Sequence, residues 1–270
     1  MQLHIRHETH YVYESSVSYS IQALKLTPRA EPGQRVLNWK VSAPGERIEQ
    51  VDPYGNVTHI VTVEFPHREL RIVVEGTAEI GQGASAVIDE PAGLSPMAFL
   101  SPTGLTRPDT ALRDLADHYL GRHPPTRHSL LDLVRGICQR VAYEPGTTDV
   151  THSAAEVLEL GSGVCQDQAH VLIACCRAAG IPARYVSGYF YAGDAGGVAS
   201  HAWADGWLGP DEGWCSLDVT HAEQAGGRHC RLAVGRDYLD AAPVRGVRRG
   251  GGHESMAVAV RVCSGQAQQQ

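Results

Sequence analysis

One segment of this chain is apolar on nearly every side, and it constrains the fold more than any other feature. Residues 165–179 read CQDQAHVLIACCRAA, and their polar side chains are confined to the first two turns and Arg177. Gly180 and Pro182 stop this helix, and the β-branched and aromatic residues of 181–191 then predict a strand. A helix without a polar face has to be covered by other elements. We therefore predict a central buried helix packed on a sheet.

Apolar residues have the spacing of strands in the first part of the chain and the spacing of helices after residue 108. Apolar residues alternate from residue 3 to about residue 80, and DPYGN at 52–56 signals a turn between two strands. Asp109 has the side chain of an N-cap ahead of a helical pattern, and SAAE at 153–156 has the spacing of a capping box. The whole pattern predicts an α+β protein.

These changes of pattern divide the chain into four segments. The boundary falls in a stretch rich in Gly, Pro, Ser and Ala that has no clear period. The predicted segments are an amino-terminal antiparallel β domain at 1–80, a linker at 81–108, a domain of helices and an antiparallel sheet at 109–263 with its last strand at 256–262, and a disordered polar tail at 264–270.

Charge and hydropathy narrow the functional classes. The chain has 270 residues and a net charge of −7, so it offers no basic field that would attract nucleic acid or anionic lipid. No segment approaches the ~20 apolar residues of a membrane span, and residues 1–7 contain no signal-peptide core. We therefore expect a cytoplasmic protein whose partners include neither nucleic acid nor membrane.

The cysteine and histidine patterns argue against metal sites. Seven cysteines are an odd number in a chain for which we expect no secretion, so most of them should be reduced. There is no C-x-x-C pair, and the 14 histidines are scattered rather than grouped as H-E-x-x-H. We expect no bound metal and no organic cofactor.

Cys165 stands apart from the other thiols because it opens the buried helix. It follows Gly-Ser-Gly-Val at 161–164, so unpaired backbone N–H groups and the positive end of the helix dipole would surround its sulfur. That placement favours the thiolate, which is the nucleophilic form. Taken alone, the residue is more typical of a small buried hydrophobe, as most free cysteines are.

A histidine and a carboxylate occur on two strands that could reach the start of that helix. Residues 201–208 and 214–219 read as strands, and GPDEG at 209–213 reads as the turn between them. In an antiparallel hairpin His201 and Asp218 would lie nearly opposite one another, so the carboxylate could fix the imidazole tautomer while the other nitrogen faces a thiol. Taken alone, the first would be a satisfied strand histidine and the second a turn residue.

These motifs resemble the bacterial transglutaminase-like proteins, a family often described as cysteine proteases. The resemblance is carried by TDVT at 148–151, GVCQDQAH at 163–170, GIPARYVSGY at 180–189 and SHAW at 200–203, more weakly by LAVGRDY at 232–238, and by the likeness of residues 1–80 to the β domain that commonly precedes the catalytic domain. It implies a papain-like catalytic domain at 109–263, with Cys165 as nucleophile, His201 as base and Asp218 as the orienting group. The signatures of papain proper and of caspases are absent.

The chain departs from the family pattern in two places. DVTH at 218–221 stands where the family usually has Asp-Pro-Thr-Asn, so the shape of the site's rim does not follow from the family pattern. Asp205 and Gly206 replace apolar strand residues, so we expect a locally irregular hairpin. Neither departure removes a reacting group.

Neighbouring residues of the motifs fit more than one role. Gln166 could donate to a developing oxyanion together with the Cys165 N–H, although a solvated first-turn position fits equally well. Asp167 and His170 fit capping or pairing roles at least as well as catalysis. Trp203 is expected to pack on the strand face opposite to His201.

The sequence therefore predicts acyl transfer at an amide or peptide bond through a Cys165 thioester. Hydrolysis is favoured over transfer, because water is abundant and the sequence reveals no dedicated amine site. The alternatives are a true transglutaminase or amide synthase, and a non-catalytic binding protein that keeps the fold. A metal site formed by Cys165, His170 and Cys175 is disfavoured by their positions along one helix. The substrate beyond its peptide or amide class and the oligomeric state are not specified by the sequence.

Overall fold

The computed structural model describes residues 1–81, 94–121, 124–193 and 200–265. The strands are β1 (Gln2–Leu24), β2 (Gln34–Ser42), β3 (Glu46–Val51), β4 (Val57–Val63), β5 (His67–Ile80), β6 (Ala142–Tyr143), β7 (Ser162–Gly163), β8 (Ala183–Phe190), β9 (Ser200–Trp207), β10 (Trp214–Asp218), β11 (Glu223–Gln224), β12 (His229–Gly235), β13 (Val244–Gly250) and β14 (Glu254–Gly265). The helices are α1 (Thr110–Leu120), α2 (Arg127–Arg140), α3 (Ala154–Leu160), α4 (Cys165–Ala178) and α5 (Tyr238–Ala241), with a short 3-10 helix at Pro96–Phe99. None of these helices combines the length and apolar character needed to cross a membrane.

The first sheet is built around β1, a strand of 23 residues. Its amino-terminal half lies between β5 and β14, and its carboxy-terminal half lies between β4 and β13. All these pairs are antiparallel, and β2 and β3 complete the sheet as β2-β5-β1-β4-β3. Along β1 buried residues such as Leu3 and Ile5 alternate with exposed ones, as expected for a sheet with one covered face.

The partner of β14 requires a correction to the predicted boundaries. The strand predicted within the domain at 109–263 pairs instead with β1, from Gln2↔Gly265 to Tyr13↔Glu254. The alternation of apolar residues identifies a strand but carries no information on its partner. Ser264 and Gly265 of the predicted tail belong to this strand, and residues 266–270 lie outside the described part of the chain.

The predicted linker at 81–108 is described only in part. Residues 82–93 lie outside the described residues. The remainder contains the 3-10 helix, whose N-cap Ser95 accepts a hydrogen bond from Met97 and whose Phe99 is fully buried. Arg177 of α4 donates to the Phe99 carbonyl over 2.8 Å. The carboxy-terminal part of the linker therefore packs against the helical domain.

The second sheet has the order β11-β10-β9-β8-β12 and is antiparallel throughout. Helix α4 packs on it, and every residue from Gln166 to Arg177 is buried. The central buried helix predicted from the sequence is therefore present. The helix packs against small residues of β9, which are Ala202, Ala204 and Gly206. A Cβ at Gly206 would already lie 3.2 Å from Leu130 Cδ1.

Capping residues determine where the helices that precede Cys165 begin and end. Asp109 accepts from the Leu112 N–H over 2.9 Å at the start of α1. Ser153 and Glu156 form the expected capping box of α3, with the Ser153 N–H donating to the Glu156 carboxylate over 2.8 Å. Gly161 then ends α3 with φ of 73°, a left-handed conformation that favours glycine.

The two sheets form one body through buried contacts. Tyr189, Cys230 and Leu232 of the second sheet lie in the same hydrophobic core as the inward residues of β1 and β5. The Gln34 side-chain amide donates to the Arg231 carbonyl over 2.7 Å, and the Asn56 side-chain amide donates to the Val234 carbonyl over 2.8 Å. These contacts fix one face of the first sheet relative to the second.

The hairpin of β9 and β10 is regular, which contradicts the expected irregularity. Its register runs from Trp207↔Trp214 to Ala204↔Leu217 without a shift. Asp205 is fully buried but receives Arg184 Nε at 2.8 Å and Arg231 Nη1 at 2.6 Å. Burial would raise the pKa of Asp205, but the two guanidinium charges outweigh it and lower the pKa to about 2. Paired charges therefore stabilise a polar residue in this strand.

We predict that Asp205→Asn lowers the free energy of unfolding by about 3–5 kcal/mol, because it removes the buried carboxylate that Arg184 and Arg231 share. Urea denaturation followed by circular dichroism measures this change. Asp211→Asn, in the exposed turn of the same hairpin, is the matched control and should change stability by less than about 0.5 kcal/mol. Equal stability of the two variants would contradict the assignment.

Candidate functional site

Cys165 is the first residue of α4, and its thiol is partly exposed. The N-cap residue Val164 has no capping side chain, and Asp167 replaces it by accepting from the Val164 N–H over 2.8 Å and from Thr148 Oγ1 over 2.6 Å. A Cβ at Gly163 would lie 2.8 Å from the same carboxylate, so only glycine fits there. Asp167 thus has the capping role considered from the sequence, and it shapes the turn before Cys165.

The structure brings Cys165, His201 and Asp218 together. The His201 Nε2 lies 2.8 Å from the Asp218 Oδ2, and His201 lines the same cavity as Cys165. Both His201 and Asp218 are buried. The register of β9 and β10 places Asp218 next to Trp203, so it reaches His201 diagonally across the strands.

The neighbours of His201 determine the charge of its ring. Burial lowers the pKa of this imidazole, but its interactions with the Asp218 carboxylate and the Cys165 side chain outweigh burial and raise the pKa to about 9. The ring is therefore protonated at neutral pH. Since Nε2 is held by Asp218, Nδ1 is left for the thiol, and an imidazolium beside a thiol favours the thiolate.

Asp218 has two further histidine partners that sequence reasoning missed. His221 Nδ1 lies 2.7 Å and His229 Nε2 lies 2.8 Å from the same Oδ2 atom that receives His201. Burial would raise the pKa of Asp218, but the hydrogen bonds from His201 and His229 hold it well below its usual range. The carboxyl group therefore stays ionised. Only His221, three residues after Asp218, carried a sequence signal, because it stands in the altered DVTH motif.

The tautomer of His229 follows from its second contact. The Gly226 N–H donates to His229 Nδ1 over 3.1 Å, so this nitrogen is an acceptor and Nε2 carries the proton donated to Asp218. Burial lowers the pKa of His229, which keeps the ring neutral. His229 is thus a fixed neutral donor that holds Asp218 in place beside His201.

The same cluster contains donor atoms of the kinds that bind transition metals. His201, Asp218 and His221 each offer an atom within 4.8 Å of the other two. However, the nitrogens lie 2.7–2.8 Å from Oδ2, whereas ligands of a tetrahedral zinc would lie about 3.3 Å apart. Hydrogen bonding alone accounts for the observed spacing, and the expectation of no metal remains a prediction.

The disfavoured metal site of Cys165, His170 and Cys175 is not assembled. His170 Nε2 accepts from the Tyr238 N–H over 3.1 Å, and Cys175 Sγ donates to the Leu112 carbonyl over 3.6 Å. Neither side chain is grouped with Cys165 among the described residues. His170 instead fastens α5 to the central helix.

Two neighbours of the thiol and imidazole also have defined positions. Gln166 is buried against the cavity that contains Cys165, and its Nε2 has no hydrogen-bond partner among the described residues. The ring of Trp203 stacks 6.0 Å from that of His201. The expectation that Trp203 faces away from His201 was therefore wrong, because residues two apart on a strand share a face.

Comparisons with known proteins agree with these observations. Residues 113–219 match the model of the transglutaminase-like superfamily, and residues 3–79 match that of the bacterial transglutaminase-like N-terminal region. An uncharacterized protein of Mycobacterium leprae is 32% identical over 277 residues, which cover 97% of this chain and 98% of the relative. An uncharacterized protein of Mycobacterium tuberculosis is 30% identical over 270 residues, which cover 90% of this chain and 86% of the relative.

A more distant relative and a solved structure extend the comparison. The protein-glutamine gamma-glutamyltransferase of Pseudomonas aeruginosa is 31% identical over 138 residues, which cover 43% of this chain and 20% of that protein. A candidate cysteine protease from Cytophaga hutchinsonii has a TM-score of 0.79 and 23% identity, and the match covers 100% of this chain and 92% of that one. The expected α+β fold, with a β-rich part ahead of a transglutaminase-like domain, is confirmed.

We predict that Asp218→Asn lowers the pKa of His201, because the charged hydrogen-bond acceptor is lost. In the unsubstituted protein the His201 resonances should titrate near pH 9 in an NMR experiment, and His128, exposed on α2, provides a reference signal. Since the folded-state pKa exceeds the ordinary 6.5, this group stabilises the fold fully below pH 6.5 and loses that contribution as the pH rises through 9. Titration of His201 near 6.5 in both proteins would contradict the arrangement.

Proposed function

This chain belongs to the bacterial transglutaminase-like family, and we propose on that premise that it transfers acyl groups from amide or peptide bonds, with Cys165 as the nucleophile. The observation that carries the proposal is that Cys165, at the start of a buried helix, shares one cavity with His201, whose other side is hydrogen-bonded to Asp218. Such an arrangement provides a nucleophile, its base and a group that orients the base.

The proposed reaction has two stages. The Cys165 thiolate attacks the carbonyl carbon, and the His201 imidazolium donates its Nδ1 proton to the departing amine, which leaves an acyl thioester. In the second stage His201 removes a proton from water, the hydroxide attacks the thioester carbonyl, and the sulfur leaves as the thiolate, so that the free acid is released and the thiolate and imidazolium are restored. Asp218 keeps the imidazole in one orientation throughout.

The oxyanion formed in each stage requires hydrogen-bond donors close to the sulfur. The first backbone N–H groups of α4 have no partner within the helix, and the Cys165 N–H is among them. The unpartnered Nε2 of Gln166 is a second donor, because leaving a buried amide unpaired is costly unless a ligand engages it. We therefore assign these two groups to the oxyanion.

Hydrolysis is our proposed outcome, and transfer to an amine is the second candidate. The second candidate is supported by the 31% identity to a protein-glutamine gamma-glutamyltransferase. A screen of peptides and simple amides, run with and without a primary amine, separates them by product mass. Free acid as the main product in the presence of amine supports hydrolysis, and an amide product supports transfer.

We predict that Cys165 is alkylated about 10- to 100-fold faster than any other cysteine at mildly acidic pH, because only its sulfur is paired with an imidazolium. Cys138 and Cys263 are matched controls, since they are also partly exposed. Burial raises the pKa of the four remaining thiols, Cys175, Cys176, Cys215 and Cys230. Timed labelling with iodoacetamide, followed by mass spectrometry, measures each rate.

The control for this labelling experiment is His201→Ala, which should slow Cys165 towards the rate of Cys138. Uniform slow labelling of all three exposed thiols would favour a non-catalytic protein that keeps the fold.

We also predict that treatment with a chelator leaves the Cys165 labelling rate and any amide turnover unchanged, because hydrogen bonds occupy the nitrogens that face Asp218. The measurement compares both rates before and after incubation with EDTA and dialysis. A loss of turnover that zinc restores would refute the cysteine mechanism.

A further inference from the structure

The cavity that contains Cys165 has walls from both sheets. It has a volume of about 260 Å³. Cys165, His201 and Tyr185 belong to the wall on the side of the second sheet, whereas β1 and β14 of the first sheet contribute the opposite wall. The chemistry proposed above uses only the first of these walls.

Strand register explains how the opposite wall is made. Tyr11 of β1 is paired with Met256 of β14, and Thr9 is paired with Val258. Residues paired in this way, and residues two apart on one strand, point to the same face. These four side chains therefore form one continuous surface that lines the cavity.

Exposure varies across this surface in a regular way. Thr9 and Tyr11 are 1% and 8% exposed, whereas Val258 and Met256 are 49% and 59% exposed. The cavity is thus closed at β1 and opens at β14. Two large apolar side chains at an opening gain from burial only when another molecule covers them, at roughly 25 cal/mol per Å² of apolar surface.

The surface is also uncharged at neutral pH. His7 and Tyr11 are the titratable residues that β1 contributes to the lining. Burial lowers the pKa of His7 to about 4 and raises the pKa of Tyr11 to about 12. Both His7 nitrogens are engaged, Nδ1 with the Tyr189 hydroxyl and Nε2 with Thr9 Oγ1, each at 3.0 Å. Among the described lining residues, the positive charge at neutral pH is therefore that of His201 on the other wall.

We infer that this surface binds an uncharged, apolar group next to the scissile carbonyl of the acyl donor, and that Met256 and Val258 contact that group at the mouth of the cavity. A charged group against this surface would lose hydration without gaining a counter-ion from the lining residues of β1 and β14. The inference rests on the proposed function, because it assumes that the acyl group is delivered to Cys165. It adds the substrate class: donors with apolar rather than ionised side chains.

The test uses alkylating probes, so that no substrate has to be known. Iodoacetamide and N-benzyl-iodoacetamide both react by forming a sulfur–carbon bond as iodide leaves, and they differ only in the apolar group. We expect the benzyl probe to label Cys165 about tenfold faster than iodoacetamide. Iodoacetate, which carries a carboxylate, should show no such gain.

The variant Met256→Gln/Val258→Thr replaces the apolar side chains with uncharged ones of similar size. It should reduce the rate ratio of the benzyl probe to iodoacetamide by about threefold or more and leave the iodoacetamide rate unchanged. Val12→Thr is the matched control, because Val12 is 45% exposed on the opposite face of β1. It should retain the ratio of the unsubstituted protein.

The outcomes separate this inference from the proposed function. A ratio near one in the unsubstituted protein, or a ratio unaffected by the double variant, overturns the apolar subsite even if Cys165 is fast with iodoacetamide. Slow iodoacetamide labelling of Cys165 argues instead against the proposed nucleophile. A change of oligomeric state in the double variant, with its ratio retained, assigns Met256 and Val258 to a contact between two copies and also overturns the inference.

Discussion

The buried carboxylate of Asp218 is the interaction on which the candidate site depends. A carboxylate with no solvent exposure is tolerated only if hydrogen bonds replace its hydration. Three imidazoles converge on one of its oxygens, and His229 is fixed as a neutral donor by the Gly226 N–H. Because the carboxyl group is held ionised, it sustains the charge on His201 in the cavity that both His201 and Cys165 line.

A second buried carboxylate supports the same sheet from within. Asp205 receives two guanidinium groups, and one of them, on Arg231, also contacts Glu31 of the amino-terminal part at 2.8 Å. The network therefore connects β8, β9 and β12 with the neighbouring sheet. Removing its central charge would take from Arg184 and Arg231 the buried carboxylate that they share, whereas the intact network offsets its own cost of desolvation, so it acts as a positional constraint more than as a source of net stability. The strand that carries His201 is held in register by it.

The sequence predicted those features of the fold and of the candidate site that depend on residues close together in the chain. Caps and helix ends such as Asp109 and Gly161 are determined within a few residues, and the apolar body of α4 identified it as central. The hairpin pattern brought His201 and Asp218 together in outline, although their offset by two residues was missed. The irregular hairpin predicted from Asp205 was wrong, because this buried acid is stabilised by two arginines that lie 21 and 26 residues away in the chain.

The remaining features depend on contacts between the two ends of the chain. His229 carries no local signal that it meets Asp218, and nothing in the alternation of β14 indicates that its partner is β1. Pairing of these terminal strands closes a loop of almost the whole chain, which is the entropically costly kind of contact. The groups that we propose to react lie within residues 165–218, whereas the opposite wall of their cavity is formed by residues near the two chain ends. Under the proposed function, substitutions on β1 and β14 would therefore alter what fits beside the thiol without touching the hydrogen bonds that His201 and His229 make to Asp218.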